Sequence, residues 1–163
     1  MWPLGFCEWW GWAGFLVFLL MMVGLGVLFM YDMKFGELPV GYLTFCVICA
    51  TLWLSLKIVV FGFDGVSWGS LIGAVGILAG VYYILYRVSR ERWVGSGDWL
   101  VALAASLVLG DWWLALFCVF VANFLGSVVG LVWRKKRLHF APFLIVSFLV
   151  VFFMQGWLGS LIW

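Results

Sequence analysis

The sequence predicts an all-α, polytopic integral membrane protein of about six transmembrane helices. Three observations carry that prediction. Hydrophobic residues fill 67% of the 163 positions and charged ones only 10%, with a mean hydropathy of +1.22, whereas soluble domains carry roughly a quarter charged residues. A chain this short leaves much of its surface exposed and cannot hide so much apolar area from water. The apolar residues also fall into runs of membrane-crossing length. Inside a bilayer each backbone N–H and C=O must be satisfied within its own segment, so such runs are helices of roughly 20 residues.

Six runs follow in order, at about 12–31, 40–61, 66–86, 98–110, 112–133 and 142–162. The stretch MWPLGFCEWWGW ahead of the first lacks a basic leader region, and the apolar segment is too long for a signal peptide, so helix one is expected to stay as an anchor. The fourth run is short for a span and stops at Gly110-Asp111. It is either tilted, beginning before Asp98, or partly re-entrant, and Gly-Asp-Trp-Trp reads as a tight external turn into the fifth. Pro142 fits the first turn of the sixth, where a missing N–H costs nothing. Small-xxx-small spacings at Gly69/Gly73, Gly76/Gly80 and Gly126/Gly130 let backbones approach within one bundle. With no internal repeat or linker, residues 1–163 read as a single domain.

Charge sets the orientation. Of the 9 Lys and Arg residues, all but Lys57 fall in the connections one–two (Lys34), three–four (Arg87, Arg90, Arg92) and five–six (Arg134, Lys135, Lys136, Arg137). Those connections share one face, which the positive-inside rule makes cytoplasmic. Lys57 is expected to snorkel toward the other face. Many of the 13 tryptophans, among them Trp9, Trp10, Trp93, Trp112, Trp113, Trp133 and Trp163, lie near predicted ends as interfacial anchors. The net charge of +2 is too small to suggest nucleic acid. Cys46 and Cys49 form a C-x-x-C, but at membrane depth, without a second pair or a nearby His, they read as small apolar residues on a helix face.

Seven acidic residues remain. Glu8, Asp64 and Asp111 read as solvated residues of external turns or the terminus, and Glu37 and Glu91 as charge balance in cytoplasmic connections. Asp32 and Asp98 differ: one closes helix one and the other opens helix four, so both lie at the cytoplasmic edge of the bundle. An ionisable group beside hydrocarbon is costly and is a functional candidate by default. Alone, Asp98 reads equally as an N-cap. As a pair, the two suit peptide hydrolysis, which needs a base to deprotonate water and an acid to protonate the carbonyl oxygen and then the leaving amine. Two neighbouring carboxylates share one proton and supply both. Gly95 and Gly97 leave the backbone before Asp98 bare, free to approach an extended substrate and to move.

Three stretches taken in order resemble the type IV prepilin peptidase family, polytopic membrane aspartyl proteases that include the archaeal preflagellin peptidases. They are Asp32-Met-Lys-Phe-Gly-Glu-Leu-Pro39, with a basic residue (Lys34) between Asp and Pro; the G-x-G-D of Gly95-Ser-Gly-Asp98; and His139-Phe-Ala-Pro-Phe-Leu144, with Pro142, opening the last helix. Val40, Leu100, His139 and Ala141 depart from the family's usual residues. The resemblance implies catalytic roles for Asp32 and Asp98, with substrate or loop support from Gly95, Gly97, Lys34, Pro39, Glu37 and Pro142. It implies no cofactor. Many bacterial relatives carry a cysteine-rich cytoplasmic segment associated with zinc and N-methylation. The connection here is too short for one, so a peptidase-only form is expected. Its substrate would be a prepilin or pilin-like precursor with a basic leader, a Gly at the cleavage point and an apolar helix, cut at the cytoplasmic face of the cell membrane. Its further expected partners are membrane lipids, which the basic connections would hold, and a second copy in a homodimer, while leader Lys or Arg would be met by Glu37 or Glu91 rather than by the basic connections. His139 is expected at the interface, outside the chemistry. Two other readings stand beside this one: a presenilin or signal-peptide-peptidase relative, from Tyr31-Asp32 and G-S-G-D, and a small transporter or assembly factor whose aspartates bind a cation or proton.

Overall fold

A computed structural model describes residues 6–36, 38–61, 67–89, 95, 97–133 and 140–162. Among the described residues six helices run in order: α1 (Phe6–Phe35), α2 (Val40–Phe61), α3 (Trp68–Ser89), α4 (Asp98–Leu109), α5 (Trp112–Trp133) and α6 (Ala141–Ile162). Four contain segments long and apolar enough to cross a membrane, at Gly14–Phe35, Val40–Val59, Trp68–Ser89 and Trp112–Leu131. The outer surface agrees with that. Val59, Leu131, Phe153 and Ile72 are among many large apolar side chains left outside, while small residues such as Ala50, Ala74, Ala102, Ala115 and Ala122 are buried. An apolar exterior on this scale far exceeds the patches that soluble monomers expose.

The short helix α4 is the centre of the bundle. It packs on α2, α3, α5 and α6, and its Val101, Ala102, Ala104, Ala105, Ser106, Val108 and Leu109 are all buried. Its 12 residues rise only about 18 Å. Neither sequence expectation for this segment describes it fully: it begins at Asp98, directly after Gly97, and it is enclosed by its neighbours. Three closely spaced alanines allow that enclosure, since they let flanking backbones come near. Gly110 ends the helix in a left-handed conformation (φ 66°), its N–H donating to the Ser106 carbonyl, as an αL cap does.

Helix α1 extends past the expected boundary at 31 to Phe35, so Asp32 and Lys34 belong to its last turn. What stops it is Gly36 (φ 70°), whose N–H donates back to the Asp32 carbonyl at 2.9 Å. Asp111 also departs from its expected role as a solvated turn residue. It is half-buried; its Oδ1 accepts from the Trp113 N–H at 3.1 Å and from the Ser70 hydroxyl at 3.3 Å. It therefore caps α5 and ties that cap to the start of α3, because the two-residue turn leaves α5's first N–H groups without intrahelical acceptors. Lys57 is half-buried, and its Nζ lies 3.8 Å from where a Cβ on Gly110 would stand. The carbonyl-rich end of α4 draws the cation there.

Of the small-xxx-small positions, Gly73 and Gly126 make close approaches, to Trp112 and to the Phe140 ring, whereas Gly69 and Gly76 face open space. Cys46 and Cys49 are buried in α2 within the core. Glu37, Asp64, Arg90, Glu91, Arg92, the basic run 134–137 and His139 lie outside the described residues.

Candidate functional site

Asp32 and Asp98 are the only acidic residues among the buried polar side chains described, 3% and 4% exposed. Alternation of helix direction brings the C-terminal turn of α1 and the N-terminal turn of α4 to one end of the bundle. There the Asp98 carboxylate lies within electrostatic reach of Asp32.

Asp98 is the first residue of α4, and Gly97 is the cap residue that precedes it. Its side chain does not cap α4. It turns back instead: Oδ2 accepts from the Gly95 N–H at 2.8 Å, while the Asp98 N–H donates to the Gly95 carbonyl at 3.2 Å. From another helix, the N–H of Ala141 at the start of α6 also acts on its charge. That N–H belongs to a helix N-terminus, where first-turn donors lack intrahelical acceptors and the helix dipole favours an anion. Four influences therefore act on the Asp98 charge. Burial opposes it, the Gly95 N–H favours it, Asp32 opposes it and the Ala141 N–H favours it.

The glycines before Asp98 divide their work. Gly95 is exposed, and a Cβ there would come 3.6 Å from Asp98 Oδ2. Gly97 is buried, and a Cβ there would lie 2.6 Å from Leu38 Cδ1, 2.9 Å from Leu38 Cβ and 3.0 Å from Leu43 Cδ1. Its backbone angles (φ −85°, ψ −27°) suit any residue, so close approach is what demands glycine. The loop is thus packed onto the α1–α2 connection at Gly97 rather than left bare for a substrate strand. Pro39, half-buried, gives its carbonyl to the N–H groups of Tyr42 and Leu43 and so starts α2. Pro142 is buried in the first turn of α6, next to Ala141. Lys34 stands apart: it is exposed, two residues beyond Asp32 and hence on another side of α1, with Nζ 5.1 Å from the Phe35 ring.

Several neighbours carry no sequence motif. Ala141 acts through its backbone, so residue type offers no clue. Leu38 matters by position alone. Tyr82 of α3 is fully buried and in electrostatic reach of Asp98; its visible signal is a phenol in a helix otherwise rich in Gly, Ala, Ile and Leu. Beyond it, Cys118 of α5 and Ser147 of α6 are hydrogen-bonded at 3.2 Å. An apolar groove of about 420 Å³ opens between α1 and α2, lined by Leu20, Val27, Pro39, Tyr42 and Phe45.

What the arrangement offers is two buried carboxylates from different helices, one accepting from the Gly95 N–H and favoured as an anion by the N-terminus of α6, at an end of an apolar bundle. Comparison with protein-family models, with curated proteins and with solved structures gives no significant match.

Proposed function

We propose that this chain is a membrane aspartyl endopeptidase that removes the basic leader from type IV prepilin-like precursors, with Asp32 and Asp98 as its catalytic pair. The observation that carries the reading is the burial of both carboxylates at one end of the bundle, within each other's electrostatic reach. The ordered resemblance of Asp32…Pro39, Gly95-Ser-Gly-Asp98 and the Pro142 segment to prepilin peptidases supplies the substrate class.

Close, desolvated carboxylates do not both ionise and so hold one proton between them. The ionised member takes a proton from water as the water oxygen attacks the scissile carbonyl; the protonated member gives its proton to the carbonyl oxygen. On collapse of the tetrahedral intermediate the C–N bond breaks, the proton taken from water passes to the leaving amine, and the hydroxyl proton returns to the second carboxylate. In this reading six helices are embedded in the cell membrane and the aspartate end faces the cytoplasm, as the basic connections suggest. The precursor's leader stays outside the bilayer there. Its apolar helix runs along the α1–α2 groove, whose near edge at Val27 lies about 8 Å along α1 from Asp32.

Co-expression with a prepilin substrate in membranes tests this. Asp32→Asn and Asp98→Asn should each lower leader removal by about 10²–10⁴-fold, the span of acid–base contributions, with normal membrane insertion. Wild-type cleavage by either variant would refute the pair. A chain that never processes a precursor, yet whose Asn variants change ion movement, would be a transporter.

A further inference from the structure

Tyr82 is 0% exposed, and its hydroxyl oxygen is buried with no hydrogen-bond partner among the described residues. A buried polar group left unsatisfied forfeits a hydrogen bond it had in water, and native interiors hold few such groups. The Tyr82 ring lies 5.3 Å from that of Phe140, the residue just before Ala141, whose N–H favours the Asp98 charge. The next residue along, Tyr83, meets the ring of Trp99, the residue after Asp98, at 5.7 Å. Two ring contacts thus flank the line between Tyr82 and Asp98, and the charge of one is felt at the other.

Acceptors near the phenol are few. Cys118 of α5 interacts with it electrostatically, but a cysteine sulfur is only a weak acceptor. From the α1–α2 connection and the start of α2, apolar Leu38 and Leu43 border the loop before Asp98; from α1 comes Asp32. An ionised Asp98 offers about four lone-pair sites, and the Gly95 N–H leaves room for another.

We propose that Tyr82 is a positioning residue for Asp98, its side chain shifting to bring the hydroxyl within donating distance of the Asp98 carboxylate when that group loses its proton. The Gly95 N–H of the loop and the Tyr82 O–H of α3 would then hold the carboxylate from two sides, with the Ala141 N–H of α6 favouring its charge. The inference builds on the peptidase reading but concerns the carboxylate itself, so the two can fail separately. Charge-assisted bonds of this kind are the stronger sort. The bond holds the base oriented toward water while burial keeps its proton affinity high.

The test is an infrared pH titration of the Asp98 carboxylic C=O stretch, assigned by its loss in Asp98→Asn, on the full chain in lipid vesicles. In Tyr82→Phe the midpoint should rise by about half to one pH unit, a three- to tenfold gain in proton affinity from losing one donor to the anion. The low-pH limb of leader cleavage should move up by the same amount. Because Phe keeps the contact with Phe140, its thermal unfolding should match or exceed wild type. Tyr82→Leu should shift the Asp98 midpoint equally while unfolding earlier. An unchanged midpoint in Tyr82→Phe overturns the proposal. Normal cleavage by Asp98→Asn would overturn the peptidase reading and leave the titration to decide Tyr82 independently.

Discussion

Gly97→Ala is the substitution whose consequences the geometry defines most closely. The new Cβ would stand 2.6 Å from Leu38 Cδ1 and 2.9 Å from Leu38 Cβ. The first contact can be relieved by a rotamer change, but the second involves an atom fixed to the backbone, so the loop and the start of α2 must separate. Reaching ordinary contact takes an opening of several tenths of an ångström. Overpacking of this kind costs about 1–3 kcal/mol. Against it, Ala restricts the unfolded chain and returns about 0.4–1 kcal/mol, because the native φ and ψ are compatible with it. The net expectation is a loss of about 1–2 kcal/mol. Since Gly97 adjoins Asp98, the same shift moves a proposed catalytic carboxylate, and misplacement approaching 1 Å can cost about 10²-fold in rate. Denaturant unfolding in detergent and leader cleavage in membranes should be measured for Gly97→Ala, Leu38→Ala and the double variant. Leu38→Ala removes the nearest atom, so the double variant should recover part of both losses. Stability within about 0.5 kcal/mol of wild type, a surface-like value, or strict additivity with Leu38→Ala, would refute the steric account.

Two further outcomes follow from contacts at the opposite end of the bundle. Asp111→Ala should destabilise by about 1–2 kcal/mol, since it removes the α5 cap and the acceptor of the Ser70 hydroxyl. Ser70→Ala should cost less, and both should leave the Asp98 infrared band in place; a larger loss in Ser70→Ala would contradict the cap. Along α3, Gly69→Ala meets open space and should gain up to about 1 kcal/mol from helix propensity. Gly73→Ala meets Trp112 Cβ at 3.0 Å and should be destabilising. Equal unfolding midpoints for the two would remove Gly73 from the α3–α5 contact.

Much of the helical framework is legible without coordinates, because a bilayer leaves the backbone few choices: long apolar runs become helices, and Gly110-Asp111 and Pro142 punctuate them. Periodicity says less about which face of each helix turns inward, since lipid-facing and core-facing residues are alike apolar. That is why the central place of α4 was not visible. Its 12 residues look merely short in sequence, and only their burial among four other helices shows an enclosed core element. The end of α1 was readable in principle from Gly36 followed by Pro39, the usual stop signals, yet the apolar run alone points to an earlier boundary.

For the candidate site, cost singles out Asp32 and Asp98 by residue type: a charge in so apolar a chain stands out wherever it falls. Their surroundings belong to the tertiary structure. The Ala141 N–H, the Leu38 side chain and the Tyr82 hydroxyl reach the Asp98 region from α6, the α1–α2 connection and α3. Such contacts depend on which helices pack together, not on a local pattern, and a backbone donor has no residue signature. The sequence by itself therefore determined a helical, membrane-compatible chain and its two costly aspartates. Packing decided that one of those carboxylates lies under the influence of a loop N–H and of the start of α6, with a buried phenol alongside.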